Sequence, residues 1–239
     1  GLASAVELLG PSLVSVTQKH GARLDLRFDR VFGPDAGQED VYCKVQKSVQ
    51  DFLAGESSTV LAYGQTGCGK THTMTGKATA HSGEFAVTGD QRGIIPRALE
   101  DVFTWVQMSS ESPVGGVSVE SKVFVSFLEI YNERVLDLLR YDKTRGDKEG
   151  LEIRDDPSSG IHVPKLTVVQ VRSIAEAMKV LEIGTSSRHI APNGVNSVSS
   201  RAHAVFQVVA ERHVSCDKSS STVAHAKLNL VDLAGSEKW

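Results

Sequence analysis

Gly64-Gln65-Thr66-Gly67-Cys68-Gly69-Lys70-Thr71 has the spacing G-x-x-x-x-G-K-[ST], the loop with which nucleoside-triphosphate enzymes hold a phosphate chain. Working outward, Ser58-Thr59-Val60-Leu61-Ala62-Tyr63 reads as a buried strand leading in, and Lys70-Thr71-His72-Thr73-Met74 opens a helix leading out. That order turns a run of backbone N–H groups and a helix N-terminus toward one point, which favours an anion. In such a loop the lysine reaches the β- and γ-phosphates and the hydroxyl after it ligates Mg²⁺. Lys70 and Thr71 take those roles, and Gly64, Gln65, Thr66, Gly67, Cys68 and Gly69 form the cradle. The loop leaves open which triphosphate is bound and what work is coupled to it.

The chain of 239 residues is long enough for one large α/β domain. Its net charge of −3 gives bulk electrostatics no hold on nucleic acid. Three cysteines, Cys43, Cys68 and Cys216, suit neither a disulfide framework nor a zinc site and point to a reducing, intracellular compartment. No apolar run approaches the ~20 residues that span a bilayer, and the first residues lack the features of a secretory signal. A start without Met is expected of a piece of a longer protein.

Before the loop, residues 12–17 and 24–29 alternate like half-buried strands around a turn at His20-Gly21. Val41, Val45, Val49, Phe52 and Leu53 mark the apolar stripe of a helix stopped by Gly55. After the loop, residues 76–92 form a polar surface insertion in which His81 is solvated. Pro96 starts a helix with Leu99, Val102 and Phe103 on one face, and a polar turn follows over residues 109–116. Residues 123–130 are nearly all apolar, as in a central strand covered on both faces. Beyond Tyr131-Asn132-Glu133, the leucines and valine of residues 135–139 suggest a short helix. A charged, solvated loop over residues 141–149 precedes short strands broken by Pro157 and Pro164. Ser173 and Glu176 form a capping box for a helix carrying Ala177, Val180 and Leu181 inward and ending at Gly184. Strands alternating with helices give one layered α/β domain.

Two polar clusters remain, each attached to a strand. Asn196-Ser197-Val198-Ser199-Ser200-Arg201-Ala202-His203 runs into residues 205–209, and Asp232-Leu233-Ala234-Gly235-Ser236-Glu237 follows the strand at 224–231. A strand ending in D-x-x-G can hold a Mg²⁺-bound water with its aspartate and sense the γ-phosphate with its glycine N–H. A loop bearing hydroxyls and an arginine can close over that phosphate and relax when it leaves. Each motif alone is common; phosphate loop, Ser-Ser-Arg and Asp-x-x-Gly-x-Glu in that order read as a three-part nucleotide switch.

With these signatures the chain resembles the kinesin motor domain, through residues 63–74, 196–203 and 232–237. Supporting matches are Phe28-Asp29-Arg30-Val31-Phe32, Gly93-Ile94-Ile95-Pro96-Arg97 and residues 127–133. The resemblance implies a P-loop three-layer α/β fold with a central, mostly parallel twisted sheet flanked by helices. It implies a microtubule-stimulated ATPase in the microtubule cytoskeleton of the cytoplasm, using ATP and Mg²⁺, with no nucleic-acid or membrane partner. By the same resemblance His72 lies beside the nucleoside, and Ser199 and Ser200 organise Mg²⁺ and the attacking water. Arg201 pairs with Glu237, and Glu237 relays the water's proton. Asp232 orders Mg²⁺ from behind its waters, and Gly235 donates its N–H to the γ-phosphate.

The sequence departs from the family pattern in three places. Ala202 stands where the family has a serine, which implies a tuned rate and not a lost one. The Arg-x-Arg-Pro strand that holds adenine is missing; Arg23 and Arg27 do not sit in one. The chain stops just after Glu237, so residues 1–239 are expected to be a single partial motor domain without most of the microtubule-binding part. On that expectation the segment alone folds and binds tubulin poorly. Two other functions compete with a motor. One is a nucleotide-holding binding module that barely hydrolyses, and the other is a phosphoryl transferase, for which no acceptor site is legible.

Overall fold

A computed structural model describes residues 5–18, 21–77, 89–111, 117–140, 150–157, 160–188, 201–216 and 220–237. The expectations for His20, His81 and the charged loop at 141–149 lie outside the described residues, as do Asn196, Ser199 and Ser200.

The chain opens with a small meander: β1 (Val6–Leu8), β2 (Leu13–Thr17) and β3 (Arg23–Arg27) pair antiparallel in that order. The expected two strands are there, but β3 is exposed along its whole length rather than half-buried. α1 (Gln38–Ala54) starts where the Asp40 carboxylate accepts the Gly37 N–H at 2.8 Å. It ends at Gly55, whose left-handed backbone lets Gly55 and Glu56 donate back to Phe52 and Asp51. β4 (Ser58–Ala62) then delivers the phosphate loop, and α2 (Lys70–Thr75) carries the chain away from it.

α3 (Ile94–Glu111) has Pro96 in its first turn, where a missing N–H costs nothing. Its Asp101 receives the Tyr42 hydroxyl at 2.7 Å and the Gln46 amide at 2.9 Å, which ties α3 to α1. Burial, reinforced by that carboxylate, pushes the Tyr42 hydroxyl pKa well above its usual value.

β5 (Val117–Tyr131) and β6 (Arg134–Asp137) form a hairpin, with Tyr131 paired to Arg134 across a two-residue turn. Asn132 and Glu133 both have positive φ, 49° and 59°, as a primed turn requires. The helix expected at 135–139 is therefore a strand over its first part. The turn reverses the chain and sets Val135 opposite Ile130, and four apolar residues cannot by themselves separate a helical from a strand period. β7 (Arg154–Asp156), β8 (Gly160–His162) and β9 (Val169–Val171) are the expected short strands.

α4 (Ile174–Arg188) begins with the expected box: Glu176 N–H donates to Ser173 Oγ, and the Glu176 carboxylate accepts the Arg172 N–H. It does not end at Gly184. A side chain there would put its Cβ 2.1 Å from the Phe127 ring, so the glycine serves close approach to the sheet and the helix runs on to Arg188.

β10 (His203–Cys216) and β11 (Ser220–Asp232) complete a sheet of order β4-β11-β10-β5-β6, with β9 also on β5. The sheet is mixed and not mostly parallel: of the described pairings only β4 with β11 is parallel. Register lines up Val60, Leu230, Phe206 and Phe127 in one buried row, with Leu228, Val208 and Val125 in the next row on that face. α1, α3 and α4 bury Phe52, Leu99 and Leu181 in the same core. The alternate row, including Leu61, Val205 and Leu128, faces the other way, so over residues 123–130 β5 is fully buried on one face and, Ser126 apart, half-buried on the other. Among the described residues no helix is long and apolar enough to cross a membrane.

Candidate functional site

The parallel pair β4–β11 decides where the chemistry sits, because both strands end at the same edge. Ala62 pairs with Asp232, so the loop at 64–71 and the turn at 232–237 leave the sheet side by side. Gly67 and Gly69 take φ of 79° and 96°, which coil the loop before α2 begins. Lys70 lies folded over it, its ammonium donating to the carbonyls of Gly64 at 2.8 Å and Gln65 at 2.9 Å.

Thr71 and Asp232 meet directly. The Thr71 hydroxyl donates to Asp232 Oδ2 at 2.7 Å. Arg188 Nη1 donates to the same oxygen at 3.2 Å, and Arg188 Nε donates to Glu129 Oε1, also at 3.2 Å. All three charged side chains are more than nine-tenths buried. Burial outweighs the arginine at Glu129 and raises its pKa above the usual carboxylate value. Asp232 Oδ1 is buried with no partner among the described residues. That orphaned oxygen beside a threonine hydroxyl fits a hydrated divalent cation, whose water would supply the missing donor.

The turn after β11 is fastened to its surroundings by backbone bonds. Leu233 N–H donates to Ala62 O at 3.2 Å, Ser236 N–H to Gly64 O at 3.1 Å, and Ala234 N–H to His203 Nδ1 at 3.1 Å. Glu237 closes over the phosphate loop, accepting the Thr66 N–H at 2.8 Å on one oxygen and the Thr66 hydroxyl on the other. These donors, the hydroxyl first, hold its carboxyl below the ordinary range. What holds Glu237 here is Thr66; Arg201, its expected partner, stands exposed at the lead-in to β10. A Cβ on Gly235 would lie 2.5 Å from both Thr66 Oγ1 and Glu237 Oε1, so any side chain there would push the Thr66–Glu237 pair apart.

His72 is exposed on α2. Its ring Nδ1 and its carbonyl oxygen both lie on the Gln38 amide, at 3.0 and 2.7 Å. Lys70, Thr71, Asp232, Gly235 and Glu237 are thus gathered at one edge. The reading from sequence missed Arg188, Glu129 and Gln38. A signal for Arg188 was present: it continues the inward stripe of Ala177, Leu181 and Gly184, where an arginine demands a buried partner. Glu129 is its counterpart, a carboxylate in a buried row otherwise filled by Val123, Val125 and Phe127.

Comparison with known proteins gives the following. The kinesin motor domain family matches residues 11–239. Chromosome-associated kinesin KIF4 of Xenopus laevis is 40% identical over 219 residues, which cover 91% of this chain and 17% of that protein. Kinesin-like protein KIN-14G of Arabidopsis thaliana is 36% identical over 239 residues, covering 98% of this chain and 22% of its own. A solved fast kinesin, studied for its ATPase mechanism and interactions with microtubules, superposes with a TM-score of 0.80 at 34% identity. That match covers 98% of this chain and 60% of the solved one. The chain therefore spans a minor part of the curated relatives it matches.

Proposed function

Because the chain belongs to the kinesin motor domain family, we propose that it is the nucleotide-hydrolysing part of an ATP-driven microtubule motor, read here over a single partial domain. The observation that carries this is the meeting of residues 64–71 with 232–237 and, through His203, with the run that ends at 203. The phosphate loop and residues 232–237 touch directly, and His203 bonds to the same turn.

In this reading ATP lies along the loop, with His72 beside the nucleoside and Lys70 turned from the loop carbonyls to the phosphates. Mg²⁺ would be held by Thr71 and Ser200, with Asp232 behind its waters, and would supply charge neutralisation of the phosphates. Ser199 and Ser200 orient water. Gly235 offers its N–H to the terminal phosphate. Glu237 leaves Thr66, pairs with Arg201 and accepts the water's proton through a short water chain. An arginine–carboxylate pair made only in the closed state is a gate, since its strength depends on excluding water. Microtubules are the proposed partner and the cytoskeleton the proposed location.

The test is single-turnover hydrolysis of ATP, followed by release of inorganic phosphate with and without microtubules. Release should accelerate on microtubules in the motor that contains this chain. Lys70→Ala and Glu237→Ala should each slow the chemical step by on the order of 10²-fold or more. ATP bound but not cleaved would point to a binding module, and a phosphorylated small molecule to a transferase.

A further inference from the structure

His203 ends the hydroxyl-rich run and begins β10, half-buried at the edge where the phosphate loop and the turn 232–237 emerge. Register places Ala204 opposite Asp232, so His203 lies beside the turn after β11. Its Nδ1 takes the Ala234 N–H at 3.1 Å. A backbone N–H can only donate, so this ring nitrogen must carry a lone pair and the ring proton sits on Nε2. The flanking amides are also pinned, Leu233 to Ala62 O and Ser236 to Gly64 O. Across residues 233–236, Gly235 is the one amide not bonded to another described residue.

We propose that His203 is a positioning residue: as the neutral Nε2-protonated tautomer it fixes the Ala234 backbone, and thereby keeps the Gly235 N–H free and turned to a triphosphate's terminal phosphate. It rests on the reading of residues 232–237 as a phosphate sensor. The link is short and stiff, one ring between two backbones, so a shift of residues 201–203 is passed to Ala234 through a single hydrogen bond. A serine or a lysine at position 203 could not do this, the first being too short to span the strands and the second having no acceptor.

The experiment uses the protein containing the full chain, with histidine ¹⁵N-labelled. Long-range ¹H–¹⁵N spectra should show a pyridine-like Nδ1 and a pyrrole-like Nε2 for His203. Hydrogen exchange at Ala234 should rise about tenfold in His203→Leu, as one lost hydrogen bond allows. The preference for a non-hydrolysable ATP analogue over ADP should fall by about the same factor, with ADP affinity held within about twofold. His203→Asn, whose amide oxygen takes the place of Nδ1, should restore both, and His203→Gln, whose acceptor lies one bond further out, should not. A protonated Nδ1 in the folded protein, or equal behaviour of the Asn and Leu variants, overturns the proposal. An unsubstituted protein that binds the analogue and ADP alike, with Ala234 still protected by His203, sinks the sensor reading and the proposal with it. A normal preference with Ala234 exchange indifferent to position 203 sinks the proposal alone.

Discussion

Two carboxylates at this site titrate in opposite directions, and the reason in each case is the company they keep. Glu237 is held below the ordinary range by the Thr66 hydroxyl first, with backbone N–H groups and the Lys70 charge adding to it. A carboxyl lowered in the folded state contributes fully above its unfolded pKa, and that contribution fades as pH falls through the lowered value. Thr66→Val keeps the shape and removes the hydroxyl. The Glu237 midpoint should then rise toward that of an ordinary glutamate, read from its carboxyl ¹³C shift; an unmoved midpoint would assign the depression to another donor. Glu129 is raised instead, because burial costs its charge more than Arg188 returns. Arg188→Met would leave Glu129 and Asp232 buried without their shared cation, at a cost of about 3–5 kcal/mol in urea unfolding. A carboxyl raised in the folded state favours folding below its unfolded pKa and loses that contribution as pH rises through the folded value. The deficit of the variant should therefore shrink toward acid pH, and a pH-independent deficit would place its origin in packing.

At the scale of elements, the sequence was legible wherever one local rule decided the outcome. The phosphate loop, the α1 stop at Gly55, Pro96 in the first turn of α3 and the Ser173–Glu176 box all form as their residues demand. It misled where the deciding partner lies far along the chain. Residues 134–137 became a strand because the Asn132–Glu133 turn returned them to β5, a contact no window of apolar period can see. Gly184 looks like a helix stop in sequence, yet its meaning lies 57 residues away in the Phe127 ring. This yields a prediction against propensity. Ala is favoured over Gly by about 1 kcal/mol within a helix, but at 184 the methyl must displace a ring that already meets Phe206 edge to face at 5.4 Å. Gly184→Ala should destabilise by about 1–3 kcal/mol, the range for overpacked cores. A higher thermal midpoint in that variant would show that α4 can lift off the sheet freely.

The molecule as a whole is built so that one strand pair governs the site. β4 and β11 run parallel, and every contact between the phosphate loop and the last turn follows from Ala62 lying beside Asp232. Sequence order predicted that these motifs would work together, but not that Glu237 would rest on Thr66 or that Arg188 would bind Asp232. Those depend on how the sheet edge and the end of α4 meet in space. The same geometry makes a global prediction. The loop, the Asp232 carboxylate and the turn share bonds, so Mg²⁺ and nucleotide should order them as one unit, although they lie more than 160 positions apart. Added ATP analogue with Mg²⁺ should slow amide exchange together at residues 64–71 and 232–237, while the β1–β3 meander stays unchanged. At about a hundredfold excess over the dissociation constant the bound protein should gain about 2.7 kcal/mol of stability. Chelating Mg²⁺ should reverse most of the change at 232–237 and less of it at 64–71, where backbone amides and Lys70 hold phosphate without a metal. Equal reversal at both would mean that Asp232 and Thr71 act only through each other, and that the orphaned Asp232 oxygen holds no water of a bound cation.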